Sequence, residues 1–224
     1  MRYIIEGNYP VLRCTLDKGE MITASAGAMS WITDGFELKT NTGGGVMKGL
    51  ARAFTGEGMF LNHYTAVKDN QEIAFASSLP GSIIAKELNG ETLIGQKTAY
   101  LASTRGVKID IVFTKKFTSG LFGGEGFILQ RFSGNGMLFL EADGSLVEYE
   151  LKDRESMLVD QGHLFLFESS VKYEITTMKG MKNILFGGEG LFLVKLTGPG
   201  KIILQSMPVS NLAKQIIPYV PSKG

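Results

Sequence analysis

The chain has 224 residues, 44% of them hydrophobic and 20% charged; that balance supports a buried core and excludes a disordered chain. Lysine and arginine number 23 against 22 aspartates and glutamates, a formal net charge of +1. No global field therefore steers the protein onto nucleic acid or a membrane, and nucleic acid is not an expected partner.

In chain order, Met1–Gly7 lacks the apolar stretch of a secretory signal, and no run of about 18 apolar residues suited to spanning a bilayer follows. The one cysteine, Cys14, cannot close an internal disulfide; a reducing compartment fits, and the cytoplasm is the expected location. Pro10–Leu16 alternates as a strand does, with Cys14 read as a small buried hydrophobe beside Arg13. The run Ala24-Ser25-Ala26-Gly27-Ala28 lets backbones come close, and Trp31 after it reads as core or subunit contact rather than a ligand platform. Val171–Thr176 alternates throughout and Val107–Phe113 alternates before turning wholly apolar, both with β-branched residues, so one face is expected buried and one wet. Leu164–Phe167 is apolar on both faces, as expected between two sheets. Asp143-Gly144 between apolar runs predicts a hairpin. Ser210–Ile217 predicts a short helix with Ser210 as its N-cap, stopped by Pro218, covering an open sheet edge.

Internal self-similarity is the strongest signal. Gly56-Glu57-Gly58, Gly124-Glu125-Gly126 and Gly188-Glu189-Gly190 each have a phenylalanine two residues before the first glycine and lead into an apolar run. The period is about 66 residues. After the second and third copies comes a Gly-x-Gly turn, Gly134–Gly136 and Gly198–Gly200, and another apolar run. With 29 glycines against 6 prolines, many tight turns between short strands are expected. The prediction is an all-β protein of β-sandwich or double-stranded β-helix modules, one compact unit of three repeats at roughly 1–90, 91–155 and 156–224. These glycines shape backbone. A phosphate-cradling loop should open a helix, whereas each of these motifs opens a strand.

Before each motif lies a stretch mixing bases with Leu, Met or Phe. Lys48 and Arg52 mark the first, Lys115 and Lys116 the second, Lys179 and Lys182 the third. The plainest reading is connectors with Phe tucked into the core; a subunit contact in a homo-oligomer and adhesion to an anionic membrane surface are the two functional readings. Glu57, Glu125 and Glu189 under three-fold symmetry would form a cation-binding ring, yet pairing with a nearby base or loop N–H groups is simpler, because converging carboxylates repel. Asp153, Glu155 and Asp160 read as a solvated loop.

Catalytic chemistry is sparse. His63 and His163 lack metal-ligand neighbours in sequence, and Gly-x-Ser-x-Gly is absent. No catalytic, cofactor or metal residue is assigned, and a cupin-like metal enzyme is the least favoured reading. The remaining readings are a non-enzymatic scaffold or binding protein that self-associates, and a binder of a small molecule or anion.

Ala24–Met29, the Gly43-Gly44-Gly45 run and the repeated Phe-x-Gly-Glu-Gly carry a resemblance. The chain resembles the altered-inheritance-of-mitochondria family in its short bacterial and archaeal form. That resemblance implies a fold similar to the tryptophan RNA-binding attenuation protein and no established enzymatic activity. The fungal mitochondrial relative is associated with inner-membrane organisation and carries a targeting segment not expected here. RNA or tryptophan binding does not follow from a shared fold.

Overall fold

The computed structural model describes residues 1–41, 60–77, 79–115, 127–176 and 193–220, and within them the chain is all-β with one short C-terminal α-helix. First come β1 (Arg2–Glu6), β2 (Val11–Leu16), β3 (Met21–Ser25), β4 (Trp31–Ile32), β5 (Phe36–Asn41), β6 (Leu61–Ala66), β7 (Gln71–Ala76) and β8 (Gly81–Asn89). Then follow β9 (Leu93–Gln96), β10 (Tyr100–Thr104), β11 (Val107–Lys115), β12 (Phe127–Asp143) and β13 (Leu146–Leu151). Last are β14 (Ser156–Asp160), β15 (Leu164–Glu168), β16 (Lys172–Thr176), β17 (Leu193–Thr197), β18 (Gly200–Gln205) and α1 (Val209–Ile216).

Side-chain period explains the strands. In β2, Leu12, Cys14 and Leu16 are fully buried while Val11, Arg13 and Thr15 face outward. In β15, Leu164 and Phe167 enter one core and Phe165 and Leu166 another, so the strand is apolar throughout. A bulge between Leu164 and Leu166 sets that split.

The pairings are antiparallel, and one arrangement recurs. β6 lies between β3 and β5, the first half of β12 between β9 and β11, and β17 between β14 and β16. Similarly, β7 lies between β2 and β4, the second half of β12 between β8 and β10, and β18 between β13 and β15. Each Gly-Glu-Gly motif falls in sequence between the two strands of an antiparallel pair: β5 and β6, β11 and β12, β16 and β17. The motif residues Gly56, Glu57, Gly58, Gly124, Glu125, Gly126, Gly188, Glu189 and Gly190 lie outside the described residues, as do Lys48, Arg52, Lys116, Lys179 and Lys182. Lys115 closes β11, opposite Phe127.

Asp143-Gly144 does not make a hairpin. The end of β12 pairs with β8, while β13 crosses to β18. Bonds to distant segments hold this corner: the Gly144 N–H donates to Pro80 O, and the Ser145 N–H donates to Ser206 Oγ. β8 likewise does not pair with β7 and runs along β12 from Gly81 to Asn89. Neighbouring stretches of chain thus exchange strands, and the cores follow that exchange. One gathers Leu12, Ile22, Tyr64 and Phe75 with Phe139, and another gathers Leu129, Leu164, Phe167 and Ile202. The third, with Leu88, Tyr100, Phe132 and Phe165, draws on strands from across the chain.

The expected turn at Gly134–Gly136 is a bend inside the 17-residue β12. Gly134 has φ of +96°, and a Cβ there would lie 2.2 Å from Gly106 O. Both the left-handed conformation and the close approach require glycine. Asp160, expected in a solvated loop, ends β14 half-buried and accepts the Gly162 N–H at 2.8 Å. Helix α1 begins two residues earlier than a Ser210 N-cap predicts: its N-cap is Pro208, and Ser210 lies in its first turn.

Candidate functional site

The sequence singled out Cys14, Trp31, His63 and His163, and the structure separates their roles. Cys14 is fully buried, and that burial pushes its thiol up to about 12, which leaves almost no thiolate at neutral pH. His63 Nδ1 shares a hydrogen bond with Thr23 Oγ1 at 2.8 Å, and His163 Nδ1 donates to Gln205 O at 2.8 Å. Among the described residues no three His, Cys, Asp or Glu side chains cluster to hold a metal ion. No helix among them is long and apolar enough to cross a membrane.

Three arrangements remain that sequence reading did not find. The first is a cleft of about 160 Å³ where β9, β15 and β18 run side by side. Leu93, Leu166 and Ile203 supply its floor; Lys86, Glu91, Glu168 and Lys201 stand around it. Lys201 Nζ lies 3.2 Å from Glu148, and its backbone N–H donates to Glu168 Oε2. These residues come from distant parts of the chain, so no local pattern announces them.

The second is a polar network beneath α1. The Gln205 side chain accepts the Asp143 N–H at 3.0 Å and donates to Gly162 O at 2.8 Å. Asp143 Oδ2 accepts the Val209 N–H at the start of the helix. Burial holds the Asp143 carboxyl above the ordinary carboxylate range; Glu141 pushes the same way and the Val209 bond opposes. The network anchors the first turn only. Val209, Ile216, Ile217, Tyr219 and Val220 are exposed, and no residue of α1 is buried. The helix therefore does not cover a sheet edge as its sequence implied.

The third is the outer face of β2. Arg13, opposite in facing to Cys14, reaches Glu6 at 2.9 Å and Glu72 at 2.5 Å. Arg13, assisted by a hydrogen bond from the Trp31 side chain, holds the Glu72 carboxyl below its usual range. Trp31 is thus tied on the surface rather than buried in a core.

Strand exchange, glycine bends and separate cores define an all-β protein of sandwich modules whose apolar residues are not all covered. The chain belongs to the family described as mitochondrial biogenesis AIM24, whose model matches residues 3–207. It is 26% identical over 234 residues to an uncharacterized protein of Streptococcus pyogenes serotype M6, covering 100% of this chain and 93% of that one. A crystal structure of a Streptococcus pyogenes protein shares the fold, with a TM-score of 0.79 and 23% identity over 98% of this chain and 99% of the other.

Proposed function

We propose that this chain is a non-enzymatic binding or scaffold protein that self-associates and works through its surface. The observation that carries this reading is the exposed apolar group Ile216, Ile217, Tyr219 and Val220 at the end of α1. Tyr219 is 86% exposed, and Ile216 and Ile217 beside it are each more than half exposed. Exposed apolar side chains grouped in this way mark a contact site.

A second reading rests on the cleft. Lys86 forms no ion pair among the described residues and stands over an apolar floor of Leu93, Leu166 and Ile203. That arrangement suits a small anion carrying an apolar group. Native mass by light scattering, combined with thermal melts against small carboxylates and phosphates, separates the two readings. Self-association gives a multiple of 24.4 kDa with melts that do not respond to the panel. A single-chain mass with ligand-dependent melting shifts overturns it in favour of anion binding.

A further inference from the structure

Two junctions inside the chain are built alike. At the first, β10 pairs with β3: Ala102 opposes Ala24, Ser103 opposes Thr23, and Thr104 opposes Ile22. At the second, β15 pairs with β9: Leu166 opposes Gly95, Phe167 opposes Ile94, and Glu168 opposes Leu93. Each joins strands from different exchange groups and continues the large sheet.

The same places occur a third time. Trp31 stands opposite Ala74 of β7, as Ala102 stands opposite Phe139 of β12 and Leu166 opposite Ile203 of β18. Val159 stands opposite Val194 of β17, as Ala24 stands opposite Asn62 of β6 and Gly95 opposite Gln130 of β12. Asn62, Gln130 and Val194 each follow the last glycine of their motif by four residues, which fixes the correspondence. A third junction would therefore pair Trp31 with Val159, Ile32 with Leu158 and Thr33 with Met157.

That junction is open. Among the described residues β4 pairs with β7 alone and β14 with β17 alone. Exposure shows the consequence. Thr23 and Ile94, at the place of Leu158, are each 7% exposed, whereas Leu158 is 47% exposed. Ala102 and Leu166, at the place of Trp31, are 0% and 1% exposed, whereas Trp31 is 47% exposed. Natural sheet edges discourage pairing with lysine, proline or inward charge. Trp31-Ile32-Thr33 and Met157-Leu158-Val159 contain none of these.

We propose that a second copy of this chain supplies the missing strand, its β4 pairing antiparallel with β14 of the first in the register above. The partner is an identical chain because the junction already formed twice inside the molecule is what the two free edges would reproduce. The contact is heterologous, so copies join head to tail and close into a ring or extend. This proposal rests on the self-association reading and gives it a contact at two sheet edges, separate from the exposed segment at the end of α1.

Paired cysteines test it in a Cys14→Ala background. Ile32→Cys chains mixed with Leu158→Cys chains should give a disulfide-linked dimer of the two on mild oxidation, and Thr33→Cys with Met157→Cys serves as the second pair. Each single variant alone should not cross-link to the same extent. Leu158→Lys places a charge on an already exposed edge position and should reduce the native mass to one chain of 24.4 kDa. A double variant that closes its disulfide within one chain overturns the proposal. A wild-type mass that stays a multiple in Leu158→Lys, without mixed cross-links, also overturns it while leaving self-association standing through another surface. A wild-type chain that is single at tens of micromolar refutes both.

Discussion

Gly95 lies where β9 passes between β12 and β15, and replacing it with alanine tests how tightly that junction is packed. A Cβ there would sit 3.0 Å from Leu166 Cδ1, 3.0 Å from Phe165 O and 3.1 Å from Phe132 Cε2. Non-bonded carbons settle at about 3.5–4.0 Å, so each neighbour must retreat by several tenths of an ångström. Two effects favour alanine: a more restricted unfolded chain stabilises by about 0.4–1 kcal/mol, and a buried methyl by about 0.8 kcal/mol. Overpacking opposes them by about 1–3 kcal/mol. What can move decides the sign. Phe132 is fully buried, Leu166 is 1% exposed, and the third neighbour is a backbone carbonyl. With no route to solvent for any of them, the upper end of that range applies, and Gly95→Ala should lose about 1–2 kcal/mol. For a chain of this size that lowers Tm by roughly 2–8 °C. Urea unfolding should show a lower midpoint with an unchanged slope, and Gly95→Val should fall further. A Gly95→Ala protein as stable as wild type, or more so, would refute the close packing inferred for this junction.

Asp143 makes stability depend on pH. Its folded carboxyl keeps a proton to higher pH than in the unfolded chain, so stability is lost as pH rises from about 3.9 through the folded value. Asp143→Asn should raise the urea midpoint at neutral pH and flatten its change between pH 4 and pH 7; an unchanged profile would mean burial does not act on this group. Gln205→Leu leaves the Asp143 N–H and Gly162 O without their side-chain partner and should cost about 1–3 kcal/mol in urea unfolding. Cys14 should resist iodoacetamide at pH 8 and react at the rate of unfolding, since burial raises its thiol to about 12. Labelling within minutes of a natively folded sample would place it nearer the surface than the structure does.

Much of the fold can be read locally. Alternation located β2, β11 and β16 and the doubly buried Leu164–Phe167, because a side-chain period of two needs no knowledge of the partner strand. β14 was hidden because Asp160 and the nearby Asp153 and Glu155 give its region the look of a loop, and β4 was hidden because two residues carry no period. The cleft was illegible for a different reason: Lys86, Glu91, Glu168 and Lys201 share no spacing that means anything before β9, β15 and β18 are aligned.

The sequence by itself determined that the chain is all-β and that Cys14 and the apolar runs turn inward. Only the tertiary structure decided which strand lies beside which: β12 and β13 part after Asp143 for β8 and β18, and α1 stands off the edge it was expected to cover. The physical reason is that ladder bonds join backbone groups common to almost every residue. A strand's sequence fixes which face is buried, while its neighbour is chosen by the packing of cores contributed by distant segments.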